Sequence, residues 1–115
     1  MNNPITTHIL DTAKGCPAAG ISAELEKLNE SGQWERLGNG MSDVDGRIND
    51  LVDDHGQFSP GTFRLTFAVA PYFQSQNIES IYSDIPITFI VQKTDQHYHI
   101  PLLLNPFGYS TYRGS

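Results

Sequence analysis

A chain of 115 residues is the size of one compact domain, long enough to bury roughly two thirds of the surface its unfolded form exposes. Its formal charge of −6, with seven scattered Lys and Arg against thirteen Asp and Glu, excludes sequence-independent nucleic-acid binding, which needs clustered cations. The single cysteine, Cys16, excludes an intrachain disulfide, and no run reaches the ~18 consecutive apolar residues of a membrane span.

The apolar residues mostly alternate, and turn-forming clusters recur at short intervals, which predicts an antiparallel sandwich or barrel. The first strand is expected over Ile5 to Thr12, with Ile5, Thr7 and Ile9 on one face and Thr6, His8 and Leu10 on the other. Lys14-Gly15-Cys16-Pro17 breaks it. Ile21 to Leu28 and Trp34 to Gly38 read as a hairpin around Asn29-Glu30-Ser31-Gly32. The turn cluster Ser42-Asp43-Val44-Asp45-Gly46 then delivers Arg47 at the start of a short strand reaching Val52, near a sheet edge.

Thr62 to Ala70 is the clearest strand, because Phe63, Leu65, Phe67 and Val69 share a face and belong in the core. Tyr72 to Ser80 lacks alternation and is the one stretch expected to be helical, with Pro71 tolerated in its first turn. Ile85 to Gln92 and Gln96 to Leu104 read as a further hairpin around Lys93-Thr94-Asp95, and a last strand covers about Tyr109 to Tyr112. About eight strands result. There is no internal repeat or linker, so residues 1–115 are expected to form one domain.

The chemistry-bearing residues are few. His97 and His99 lie two apart in a predicted strand and so share a face, which suits them to acid–base work at neutral pH. The plainer reading of the pattern alone is a polar strand end. Strand His-X-His spacing with His8 or His55 could also ligate a metal, but no Cys-X-X-Cys, His-Glu-X-X-His or carboxylate cluster accompanies it, so no metal site is assigned. Asp53-Asp54-His55 reads as a solvated loop, and Asp43 and Asp45 as turn residues that complete no calcium loop. Cys16, between Gly15 and Pro17, has no base or positive field beside it in sequence and reads as structural. No Gly-X-Ser-X-Gly elbow or phosphate-binding glycine loop is present. The first ten residues lack a positive segment ahead of a long apolar run, and the closing Tyr112-Arg113-Gly114-Ser115 is not a peroxisomal address, so a cytoplasmic protein is expected.

The two ends together are more specific. Thr7-His8-Ile9-Leu10-Asp11-Thr12-Ala13-Lys14-Gly15, followed by Pro17-Ala18-Ala19-Gly20, resembles the opening motif of the transthyretin-like 5-hydroxyisourate hydrolases. His97-Tyr98-His99-Ile100-Pro101-Leu102-Leu103-Leu104, with the terminal Tyr112-Arg113-Gly114-Ser115, resembles their closing motif, and Asp45-Gly46-Arg47 the segment that carries the family arginine. The resemblance spans essentially the whole chain. Asn105 stands where a serine is common, outside the site residues. The histidines and the Tyr-Arg-Gly-Ser tail separate these hydrolases from true transthyretins, which share the fold and bind hormone.

The resemblance implies an all-β, transthyretin-like sandwich of about eight strands with one short helix. It implies hydrolysis of 5-hydroxyisourate to 2-oxo-4-hydroxy-4-carboxy-5-ureidoimidazoline in urate breakdown, by a cofactor-free and metal-free attack of water on a ring amide. By resemblance His8, Arg47, His99 and Ser115 are the catalytic set, and His8, Arg47 and Tyr112 hold substrate. The role of His97 stays open, as does the choice between His8 and His99 as general base. A homotetramer built as a dimer of dimers, with sites in the channel between dimers, is implied in the same way. The alternative is a non-enzymatic transthyretin-like protein that binds a small apolar ligand.

Overall fold

Alternation at the start of the chain produces the strand on which the rest is assembled. In the computed structural model, which describes residues 3–114, strand β1 spans Ile5–Asp11. It buries Ile5, Thr7 and Ile9 completely, as the two-residue period predicts for a face turned to the core. Five other strands pair with β1 or extend its sheet. These are β2 (Cys16–Pro17) and β5 (Arg47–Ile48), both antiparallel to β1, and β8 (Tyr98–His99) and β9 (Leu102–Asn105), both parallel to it. Beyond β9 lies β10 (Gly108–Thr111).

The second sheet is wholly antiparallel, in the order β4 (Trp34–Met41), β3 (Ser22–Leu28), β6 (Gly61–Ala68) and β7 (Asp84–Val91). Ala23, Leu25, Phe63, Leu65, Phe67 and Ile85 turn inward from it to meet Ile5, Ile9, Leu102 and Leu104 from the first sheet in one apolar cluster. Fully burying each large side chain of this kind contributes about 1.5–3 kcal/mol. On the outer face, Arg64 donates to Glu26 from two nitrogens at 2.8 and 3.0 Å and lies over the Trp34 ring, which covers the half-buried pair.

The expected all-β sandwich with one short helix is therefore present, with corrections in its details. Ten strands are described, three of them only two residues long. The hairpin expected of Ile85 to Gln92 with Gln96 to Leu104 does not form. Residues 92–97 instead carry the chain from β7 in one sheet across to β1 in the other, and Pro101, which has no N–H to donate, divides the second run into β8 and β9. Alternation reports which face is buried, not which neighbour supplies the hydrogen bonds, so both pairings fit the same pattern. The strand expected to reach Val52 stops at Ile48, and the one expected to stop at Gly38 runs on to Met41.

The helix, α1, covers Ala70–Gln74 rather than Tyr72 to Ser80. Pro71 sits in its first turn, so the helix begins around the proline, and Asn77 in left-handed geometry at φ 57° closes the segment before the expected end at Ser80. Two ties hold α1 on the first sheet. Phe73 is buried, and the Tyr72 hydroxyl donates at 2.7 Å to Oδ2 of the buried Asp11, whose Oδ1 accepts from the Ala13 and Lys14 amides. Burial and then the bond to Asp11 push the Tyr72 phenol up to about 12.

Candidate active site

The face of β1 opposite Ile5, Thr7 and Ile9 carries Thr6 and His8, and strand pairing selects what stands beside them. Arg47 is the cross-strand partner of His8, and His99 that of Thr6. Three residues far apart in sequence thus meet on one face of one sheet because β5 and β8 both pair with β1.

Arg47 owes its place to the turn before it. Asp43 Oδ1 accepts from the amides of Asp45 at 2.9 Å and Arg47 at 3.0 Å, closing an Asx-type turn of the kind the cluster predicts. Gly46 follows at φ 76°, its carbonyl accepting from the Ile9 amide at 2.7 Å. A Cβ at this position would lie 2.4 Å from the Ile9 carbonyl oxygen, so both the conformation and the close approach call for glycine. The Arg47 side chain that emerges is exposed, and among the described residues it has neither an ion pair nor a hydrogen bond.

His99 is held from two sides. Its Nδ1 lies 2.8 Å from Thr6 Oγ1, and the same hydroxyl lies 2.9 Å from His97 Nε2. The two rings stand 6.2 Å apart between centroids. On the other side, the Gly114 amide donates to the His99 carbonyl at 2.7 Å in an isolated bridge, and a Cβ on Gly114 would come 2.7 Å from His99 Cδ2. The C-terminal segment therefore packs directly on the His99 ring. Arg113 anchors it by lying 4.3 Å over the Tyr98 ring and donating to Gln96 Oε1 and the His97 carbonyl.

Burial first, then the neighbouring His97, Arg47 and His8, hold the His99 imidazole below its ordinary value near 6.5. A half-buried imidazole kept neutral beside an exposed guanidinium can take a proton from water while the guanidinium presents donors to a developing oxyanion.

Of the residues singled out in the sequence, His8, Arg47, His97 and His99 come together. Tyr112 is 57% exposed, and among the described residues its side chain makes no hydrogen bond. Ser115 lies outside the described residues. His55 forms part of a short 3-10 turn, with its Nε2 3.2 Å from Asn3 Nδ2. Cys16 is exposed at the start of β2. Among the described residues no three His, Cys, Asp or Glu side chains converge as a metal ion requires. Sequence reasoning missed Thr6 and Gly114. Alternation had placed Thr6 on the His8 face, but its two imidazole partners arrive in and just before the parallel strand β8, which no local pattern announces.

Comparison with known proteins gives the family and the fold. The HIUase/Transthyretin family model matches residues 5–114. A 5-hydroxyisourate hydrolase of Salmonella dublin is 43% identical over 114 residues, covering 99% of this chain and 82% of the relative. Among solved structures, sea bream transthyretin in complex with thyroxine superposes with a TM-score of 0.91 at 28% identity, covering 97% of this chain and 95% of that one. Klebsiella pneumoniae 5-hydroxyisourate hydrolase superposes at 0.82 with 32% identity, covering 96% of this chain and 92% of that one.

Proposed function

The chain belongs to the HIUase/Transthyretin family, and we propose that it hydrolyses 5-hydroxyisourate, adding water across a ring amide to give 2-oxo-4-hydroxy-4-carboxy-5-ureidoimidazoline. The observation that carries this reading is the convergence of His8, Arg47 and His99 on one sheet face, with His99 biased toward its neutral form. Ring opening needs a base for water, a donor for the oxyanion and a proton for the leaving nitrogen.

In the proposed scheme a neutral histidine removes a proton from water as its oxygen attacks the ring carbonyl. Arg47 presents its planar donor fork to the carbonyl oxygen. The resulting imidazolium returns the proton to the ring nitrogen as the C–N bond breaks. Water is thereby divided between the new carboxylate and the leaving amide nitrogen, and the scheme uses no metal or cofactor. His8, Arg47 and Tyr112 hold the substrate, and Ser115, the last residue of the sequence, completes the set.

Residues 1–115 act as one domain in this reading, and the working form is a homotetramer arranged as a dimer of dimers. Two features support assembly. Among the described residues the outer backbone edges of β7 and β10 pair with no other strand, and Ile90, Tyr109 and Tyr112 are exposed. An open sheet face gains a dry, shaped site when another subunit covers it. A cytoplasmic location belongs to the same reading, supported by the single free cysteine; no helix among the described residues is long and apolar enough to cross a membrane.

The superposition with thyroxine-bound transthyretin favours a second reading, a carrier of an apolar ligand on the same scaffold. Two imidazoles and a free guanidinium sharing one face are poorly matched to an apolar ligand, which would leave them desolvated and unpaired. The test is the ultraviolet decay of 5-hydroxyisourate made freshly from urate. Purified protein treated with chelator is expected to accelerate it and to yield the ring-opened product. Decay at the buffer rate from a folded sample would favour the carrier.

A further inference from the structure

Proton counting on the Thr6 hydroxyl leads past the residues assigned above. A hydroxyl owns one proton and can donate only once, although it can accept twice. Thr6 Oγ1 lies within hydrogen-bond distance of two imidazole nitrogens, His97 Nε2 at 2.9 Å and His99 Nδ1 at 2.8 Å. If both contacts are hydrogen bonds and both rings are neutral, accepting from both rings would leave the Thr6 proton without an acceptor among the described residues, so Thr6 donates to one ring and receives an N–H from the other. The tautomers of the two histidines are therefore locked in opposition.

Two arrangements satisfy the count. In one, Thr6 donates to His99 Nδ1, so that His99 carries its proton on Nε2 and has no free lone pair. In the other, Thr6 donates to His97 Nε2, His99 donates from Nδ1 into the hydroxyl oxygen, and His99 Nε2 keeps a lone pair directed away from Thr6. Only the second leaves His99 able to take a proton from water, because Nδ1 is occupied by Thr6 in either case.

We infer that Thr6 and His97 are positioning residues for the reaction: together they fix His99 as the Nδ1–H tautomer and make Nε2 the atom that accepts the proton of water. The inference rests on the hydrolase reading above. It decides between His8 and His99 as base, and it gives His97, exposed and beyond Thr6, a defined task. Burial suits Thr6 to the work, since at 7% exposure its hydroxyl has little water to turn to instead. The Gly114 amide also holds the His99 backbone, and Gly114 packs against the edge of the same ring.

The proton inventory balances through the step. Nε2 takes a proton from water, giving an imidazolium whose Nδ1–H still donates to Thr6, while the Thr6 hydroxyl goes on donating to His97 Nε2. The Nε2 proton then leaves with the ring nitrogen, and the starting tautomers are restored. Removing His97 frees the Thr6 proton to turn toward His99 Nδ1, which shifts His99 to the wrong tautomer without touching the substrate.

The ring nitrogens can be read directly. On the full-length protein, uniformly 15N-labelled, at pH 8, long-range proton–nitrogen spectra are expected to show His99 Nδ1 protonated and Nε2 unprotonated. Thr6→Val and His97→Ala are expected to move His99 toward the Nε2–H form and to lower kcat by about 10-fold or more with little change in KM. Thr6→Ser, which keeps the hydroxyl, is expected to restore both the tautomer and most of the rate. An Nε2–H tautomer for His99 in the unmodified protein would overturn the inference, and so would unchanged kcat in a folded Thr6→Val variant. Absence of hydrolysis by the folded, unmodified protein would sink the function reading instead, leaving the ring shifts to decide the tautomer alone.

Discussion

At the scale of single residues, Arg47 stands exposed opposite His8 with its charge unpaired among the described residues. A guanidinium free to meet substrate is a different device from one committed to a structural ion pair, such as Arg64 on Glu26. If Arg47 supplies donors to the oxyanion, Arg47→Ala is expected to lose about 2.7–4 kcal/mol of transition-state stabilisation. Arg47→Lys recovers only part of this, because it restores charge without the fork. Full turnover by the lysine variant in a steady-state assay would remove Arg47 from the oxyanion role.

His99 carries the pH dependence. Its folded-state value lies below the ordinary 6.5, so it stays neutral, and able to accept a proton, at pH values where a free histidine is already charged. The acidic limb of kcat/KM is accordingly expected to fall below pH 6.5, and a midpoint above 6.5 would contradict His99 as the base. The same shift links to stability. Below pH 6.5 the unfolded chain binds more protons at this site than the folded one, so its effect is to weaken the fold as pH falls through that window.

At the scale of elements, α1 is tied to β1 by one buried polar contact, Tyr72 to Asp11. Asp11 already spends its other oxygen on the Ala13 and Lys14 amides, so Tyr72→Phe leaves Oδ2 without its donor. Hydrogen bonds to charged groups contribute about 1.5–3 kcal/mol, and a loss on this scale is expected in urea unfolding of Tyr72→Phe. Native-like stability in that variant would mean that water replaces the phenol at no cost.

The same scale shows what local sequence could reveal. Faces were legible: Ile5, Thr7 and Ile9, and Phe63, Leu65, Phe67 and Val69, are buried as their alternation predicts. The turn that presents Arg47 was legible from the cluster Ser42-Asp43-Val44-Asp45-Gly46. Partners were not. That β8 and β9 run parallel to β1, rather than folding back on β7, is decided by a crossover between sheets that leaves no trace in a two-residue period. His8, Arg47 and His99 were therefore identified by resemblance, while the Thr6 bridge between two histidines became visible only in three dimensions.

At the scale of the whole molecule, the sandwich leaves β7 and β10 with free edges, and His8 and Arg47 lie on a face that one copy leaves open to solvent. Assembly into a tetramer would cover both kinds of surface. Sedimentation is expected to show four copies per particle at working concentration, and a fully active monomer would sink the proposal that a second subunit completes the site.

Whether the histidine and arginine face opens the ring of 5-hydroxyisourate is decided by a single comparison. The ultraviolet decay of freshly generated 5-hydroxyisourate would be followed with the unmodified protein and with His99→Ala, both treated with chelator and both shown to be folded. If that face does the chemistry, decay is rapid with the unmodified protein and close to the buffer rate with the variant. Equal acceleration by the two proteins would contradict it.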